Sequence, residues 1–147
     1  MKLKKIFIAS DHAGFPLKKK VSDFLRSKNF EVDDLGPISE DRCDYPDYAS
    51  KLSQSITEDS LFGVLICGSG QGMAMTANKY SHIRAALCWN RESSQLSRQH
   101  NNANVLCLGA RLLTEETILD IADAFFTTDF EGGRHLDRVN KIKNSNS

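Results

Sequence analysis

Leu61-Phe62-Gly63-Val64-Leu65-Ile66-Cys67 runs without a break into Gly68-Ser69-Gly70-Gln71-Gly72, and this junction decides the fold. The first half is almost wholly apolar, as expected of a central parallel strand covered on both faces; a half-solvated strand would alternate. Glycines placed directly after such a strand let backbone N–H groups converge at the start of the next helix, where an anion is favoured. Strand, glycine turn and helix together form half of a βαβ unit.

Working outward, apolar runs rich in strand formers alternate with segments of helical period, the pattern of a parallel α/β sheet. Lys5 to Ser10 reads as a first strand, followed by a helix with Pro16 near its start and Leu17, Val21, Phe24 and Leu25 as its apolar stripe. Lys18, Lys19 and Lys20 fall mostly off that stripe and read as a solvated face. Phe30 to Leu35 is a second strand closed by Gly36-Pro37, and Tyr45, Tyr48, Ala49, Leu52 and Ile56 mark a second amphipathic helix. Beyond the glycine junction, Ala85 to Trp89 and Val105 to Leu108 supply a fourth and a fifth strand around a polar helix from about Glu92 to His100. Thr114 is placed to cap the next helix, with Glu115 and Glu116 at its positive end and Ile118, Ile121, Ala122, Phe125 and Phe126 as its buried stripe. A last helix begins after Gly132-Gly133, and the tail from 144 to 147 is read as disordered. All 147 residues are expected to form one domain.

Nineteen Lys plus Arg balance nineteen Asp plus Glu, so the chain lacks the basic excess of a nucleic-acid binder and must hold any anion with a local cluster. The basic N-terminus leads into an apolar stretch that ends at Ser10, Asp11 and His12, too short for a secretion signal or a membrane span. Cys43, Cys67, Cys88 and Cys107 contain no C-x-x-C pair and read as reduced thiols in a cytoplasmic protein.

The glycine junction fits neither the dinucleotide fingerprint, whose third glycine would come one place later, nor a P-loop, which needs Gly-Lys-Ser/Thr. A thiol phosphatase would need an arginine six residues after its nucleophile, and Met73 stands there. Cys67 itself has two readings: a small packed hydrophobe, or a reactive thiol favoured by the helix start ahead of it. Cys88 and Cys107 read as core, and Cys43 has no assigned role. Asp11-His12 is either a turn and helix cap or a site on the same carboxyl edge as Cys67. His100 is either a helix-end histidine or a general acid, with Asn101 beside it to orient a hydroxyl. Arg134 and Arg138, four apart on one helical face with His135 between them, form a cationic cluster, and Arg111 after the fifth strand is a further anion donor. No metal is expected, because His12, His82, His100 and His135 show no paired ligand spacing.

Taken together, these residues resemble the family that joins type B ribose-5-phosphate isomerases with galactose-6-phosphate isomerase subunits. The resemblance runs through Ser10-Asp11-His12-Ala13-Gly14, Asp44-Tyr45-Pro46, Cys67-Gly68-Ser69-Gly70-Gln71-Gly72, Ala77-Asn78-Lys79, Ser97-Arg98-Gln99-His100-Asn101 and Glu131-Gly132-Gly133-Arg134-His135. It implies an α/β, Rossmann-like three-layer sandwich: a five-stranded parallel sheet with helices on both faces and an added C-terminal helix. It also implies a homodimer or tetramer whose sites are shared between subunits, with no cofactor. By position, Cys67 would be the proton acceptor, His100 the ring-opening acid assisted by Asp11, and Ser69 a partner of the sugar oxygens. The amides of Gly68, Ser69, Gly70, Gln71 and Gly72 would form the anion hole, and Tyr45 and Asn101 would line the pocket. The phosphate would fall to His12, Arg111, Arg134 and Arg138, with His135 nearby. One branch of the family replaces the cysteine and carries a glutamate where Met73 stands, so Cys67 places this chain in the cysteine branch. The implied reaction is the ribose 5-phosphate to ribulose 5-phosphate step of the pentose phosphate pathway. Allose or galactose 6-phosphate is the alternative substrate, and a non-catalytic anion or nucleotide sensor the alternative of another class.

Overall fold

The computed structural model describes residues 2–143; the tail read as disordered lies outside them. Five strands form one parallel sheet: β1 (Lys5–Ser10), β2 (Val32–Asp34), β3 (Leu61–Cys67), β4 (Ala85–Leu87) and β5 (Val105–Gly109), in the order β2-β1-β3-β5-β4. The Rossmann-like layering expected from the sequence is present. Side chains of β3 alternate between two cores. Phe62, Val64 and Ile66 pack with Val21, Leu25, Ile118, Ile121 and Phe125 from helices α1 (Phe15–Ser27) and α5 (Glu115–Thr127). Leu61, Leu65 and Cys67 pack on the other face with Ala49, Leu52, Met73 and Ala77 from α2 (Tyr45–Ser55) and α3 (Gln71–Ala77). Gly63 lacks a side chain because Leu52 and Ile56 press into its place. Every residue of β3 is buried, which is why its sequence does not alternate.

The edge strands are shorter than their sequences suggest. Phe30 and Leu35 fall outside β2, and Cys88 and Trp89 outside β4, since an edge strand pairs along one side only and its ends gain less from the ladder. Helix α4 (Arg91–Gln99) starts at a capping box, in which the Asn90 side chain accepts from the Ser93 amide and the Ser93 hydroxyl contacts the Asn90 backbone. Thr114 caps α5 as read, accepting from the Thr117 amide. Lys18 corrects the reading of a solvated lysine face. It is 3% exposed, its Nζ lies 2.9 Å from Asp34 Oδ1 and also donates to the Pro37 carbonyl, and it sits over the Phe15 ring. A lysine at the margin of a stripe can bury its stem when a carboxylate and a carbonyl meet its head.

Arg98 is buried at the C-terminal end of α4, its guanidinium over the rings of Phe62 and Phe125 at 5.1 and 5.8 Å. Its nitrogens donate to the carbonyls of Thr128 and Ala103 and to the Asn102 side chain. This ties the end of α4 to the segment that follows α5.

Cys88 and Cys107 are core thiols, as read. Burial pushes Cys88 from its ordinary 9.0 up to about 11. The folded chain therefore keeps a proton that the unfolded chain sheds: the difference is nil below pH about 9, grows between 9 and 11, and levels off above. Stability is expected to fall across that window by up to about 2–3 kcal/mol from this thiol. Urea midpoints from pH 8 to 11 should decline less steeply for Cys88→Ala than for the wild type; equal slopes would remove Cys88 as the cause.

Candidate active site

The chain leaves β1 toward β2 and leaves β3 toward the other half of the sheet, so the carboxyl ends of β1 and β3 flank the point where the strand order reverses. Open α/β sheets place ligands at such a point. Cys67 ends β3 there and is 4% exposed. Its Sγ accepts the Gly70 amide at 3.2 Å, so the sulfur faces the glycine turn. Gly70 has φ +79° and lies against Leu87 and the Leu108 carbonyl, a conformation and a gap that suit glycine alone. Gly72 is needed for a different reason, since a β-carbon there would enter the Tyr45 ring.

The other residues expected at this edge gather around the turn. The Asp11 amide donates to the Ile66 carbonyl at 3.1 Å, and its Oδ1 accepts the Gly14 amide at 3.1 Å. One carboxylate oxygen thus makes a turn, but Asp11 does not cap the helix, whose N-cap is Gly14 without a side-chain cap. His12 Nδ1 lies 3.2 Å from the Cys43 carbonyl oxygen and 3.3 Å from the Cys43 amide, and either tautomer fixes the ring to that loop. Burial pushes the Cys43 thiol up, opposed by the His12 contact and aided by Asp11, Asp44 and Asp47. The Arg111 amide donates to the Gly68 carbonyl at 2.9 Å, and its guanidinium lies over Gly68. Of the five loop amides, Gly70 already serves the sulfur and Gln71 serves Ser69 Oγ at 3.3 Å. Those two amides are thus engaged within the turn itself. Met73 is fully buried, so nothing from that position closes the loop.

His100, Asn101, Arg134, His135 and Arg138 are elsewhere. Helix α4 runs back from the carboxyl end of β4, so His100 at its C-cap and exposed Asn101 lie at the amino end of β5. Helix α5 returns the same way, and the segment after it carries the arginines. From Leu61 to Cys67, strand β3 spans about 20 Å at about 3.3 Å per residue, which separates the two groups within one chain. Arg134 lies in a 3-10 turn (Gly133–His135), before helix α6 (Leu136–Lys143) that carries Arg138; the two do not share one continuous α-helix as the four-residue spacing suggested.

This second group has its own order. The rings of His100 and His135 stack at 4.3 Å with 16° between their planes. Glu131 Oε1 lies 3.6 Å from His135 Nε2 and 4.0 Å from His100 Nε2. The Glu131 amide donates to the Gln99 carbonyl at 3.0 Å, holding the carboxylate over the pair. Burial, then His100 and Arg134, lower the His135 pKa from its ordinary value, against the pull of Glu131. Glu131 has no site role in the sequence pattern beyond its motif and its charge balance with the arginines; its four-residue spacing to His135 is the available signal. Sequence reading also set metals aside on spacing alone, whereas three segments here bring two imidazoles and a carboxylate together.

Fold and edge chemistry define a class: a doubly wound parallel α/β domain with a cysteine-headed glycine turn at its switch point. Residues 6–142 match the family model described as Ribose/Galactose Isomerase. A ribose 5-phosphate isomerase structure from Thermotoga maritima superposes with a TM-score of 0.91 at 51% identity, covering 95% of this chain and 97% of that one. A Mycoplasma genitalium ribose-5-phosphate isomerase B structure with bound ribulose-5-phosphate gives 0.92 at 45% identity, covering 97% of this chain and 95% of its own. Ribose-5-phosphate isomerase B of Escherichia coli is 43% identical over 141 residues, 95% of each chain. The protein belongs to the Ribose/Galactose Isomerase family, and it is an isomerase. Among the described residues no helix is long and apolar enough to cross a membrane.

Proposed function

We propose that the protein interconverts D-ribose 5-phosphate and D-ribulose 5-phosphate through a cis-enediolate, in sites completed between two copies of the chain. One observation carries this reading: Cys67 Sγ faces the glycine turn at the switch point, while His100 lies at the opposite edge of the sheet. In an isologous dimer, residues of one edge meet those of the other edge in the second copy. His100 of the partner subunit, with Asp11 of the first, opens the sugar ring by proton transfer to the ring oxygen. Cys67, as thiolate, takes the proton from C2 and returns it to C1. The negative charge that develops on the sugar oxygens falls against the amides of Gly68, Ser69 and Gly72, donors already aimed and needing no reorganisation. Ser69 hydrogen-bonds the two sugar oxygens, and the proton on O2 moves to O1 through its hydroxyl as the double bond shifts. Tyr45 and Asn101 bound the pocket. Arg111 and His12 from one copy, and Arg134, Arg138 and His135 from the other, grip the phosphate, where guanidinium forks bind in bidentate fashion.

The bound ribulose-5-phosphate in the Mycoplasma genitalium relative supports the five-carbon substrate. The test is turnover of ribose, allose and galactose phosphates by the purified protein, monitored by ketose formation in excess chelator. Ribose 5-phosphate should be turned over fastest. Preference for a six-carbon sugar would overturn the substrate, and nucleotide binding without isomerisation of any sugar would overturn the reaction.

A further inference from the structure

The stacked pair at the amino edge offers more than ring opening requires. His100, Glu131 and His135 each present one ligand atom, and these atoms all lie within 4.8 Å of one another. The trio comes from three separate segments: the end of α4, the stretch after α5 and the 3-10 turn. The Gln99 to Glu131 backbone bond and the Arg98 clamp hold these segments in place. His135 is 7% exposed, and among the described residues its ring makes no hydrogen bond; the nearest polar atom is Glu131 Oε1 at 3.6 Å. The ring thus faces a carboxylate just beyond hydrogen-bond distance and stacks on a second imidazole, so three ligand-type groups face one another without a hydrogen bond joining them.

We infer that these three side chains form a site for a nitrogen-preferring transition-metal dication such as Zn2+ or Ni2+, and that its occupation stops the isomerase. Zinc bonds to imidazole nitrogen and carboxylate oxygen are about 2.0–2.2 Å, so tetrahedral ligand atoms stand roughly 3.4 Å apart. The Glu131 oxygen already stands 3.6 Å from the His135 ring nitrogen and 4.0 Å from that of His100. Because lone pairs in near-parallel stacked rings do not converge, the half-exposed His100 ring must turn out of its stack on His135 for both nitrogens to meet one ion. Two imidazoles and one carboxylate leave a coordination position open for water or a sugar oxygen. The exposed arginines Arg134 and Arg138 oppose any cation here. Oxygen-seeking Mg2+ and Ca2+ gain too little from such a donor set to overcome them, whereas metals that bind imidazole strongly do. A metal held by His100 takes the lone pair that would otherwise carry the transferable proton, and it fills the pocket that a second copy's substrate enters. The binding half stands on the trio alone; the inhibition half rests on the ring-opening role proposed above for His100.

Binding is measured by calorimetry with Zn2+, Ni2+ and Mg2+ on the wild type, on Glu131→Gln and on Cys43→Ser. Inhibition of ribose 5-phosphate turnover is measured in parallel, with and without chelator. The expected result is Zn2+ and Ni2+ binding with Mg2+ far weaker, unchanged in Cys43→Ser and weakened at least about tenfold in Glu131→Gln, since even outer-shell partners are worth ten- to a hundredfold. The inhibitory concentration should rise in step, and chelator should restore activity. The histidine ring signals broadened by Ni2+ should be those of His100 and His135, with His12 and His82 unmoved. Unchanged affinity in Glu131→Gln would remove the carboxylate as a ligand, and a sulfur-to-metal charge-transfer band with Co2+ would place the metal on a thiol; either overturns the site. Binding at the trio that leaves turnover untouched would overturn the inhibition and, with it, the role of His100.

Discussion

Replacing Cys67 with serine is expected to lower kcat about a thousandfold and to leave KM within a fewfold of the wild type. The exchange alters one atom. Serine Oγ can accept the Gly70 amide that now meets the sulfur at 3.2 Å, so the turn, the positive φ at Gly70 and the packing of β3 are retained. What is lost is the sulfur proposed to take the proton from carbon; an unassisted hydroxyl is a poor base, and positioned acid–base catalysis supplies about 10²–10⁴-fold. Because the proposed base acts on the path to the transition state and the proposed phosphate contacts lie elsewhere, the loss is expected on kcat rather than on binding. Urea unfolding should shift by no more than about 1 kcal/mol, as expected of a change that opens no cavity. Ketose formation within tenfold of wild type by Cys67→Ser would mean that the sulfur is packing and not chemistry, the other reading its sequence position allowed.

The two halves of the site were unequally legible. Around β3 the sequence carries the answer in its composition: an apolar run without alternation, then glycines, requires a central parallel strand whose end meets a helix start. The neighbours Asp11, Tyr45 and Arg111 follow because each lies at or just beyond the carboxyl end of a strand, or at the helix it leads to. The edge strands and Lys18 were harder, since both depend on what lies alongside. Val32–Asp34 is trimmed by having one neighbour, and Lys18 is buried because Asp34 and the Pro37 carbonyl, sixteen and nineteen residues on, meet its ammonium. His100 and the arginines were recognised by residue type but not by edge. Placing them requires following α4 and α5 back along the sheet, which motif spacing does not do. Glu131 joins the pair only through the contact of its backbone with Gln99, a tertiary event with no local signature beyond its spacing to His135.

That division between edges makes the largest expected recovery in a mixing experiment. Cys67→Ser and His100→Gln should each be nearly inactive alone, the first for want of a base and the second for want of a ring-opening acid. Unfolded together and refolded as a one-to-one mixture, they should regain about one quarter of wild-type turnover, because isologous pairing at random makes half the dimers mixed and each mixed dimer holds one intact site. In that site Cys67 comes from the copy bearing Gln at 100, and His100 from the copy bearing Ser at 67; the other site of the same dimer carries both lesions. A site built within one chain predicts no recovery at any ratio, since every chain then carries a lesion in its own site. The roughly 20 Å between the ends of β3 forbids a single chain from closing that gap without unravelling the sheet. Recovery should also scale with the product of the two chain fractions, peaking at equal amounts. A mixture that stays as inactive as its parents, while mixed dimers are demonstrated by mass spectrometry, would refute the shared site and leave His100 without a role in ring opening.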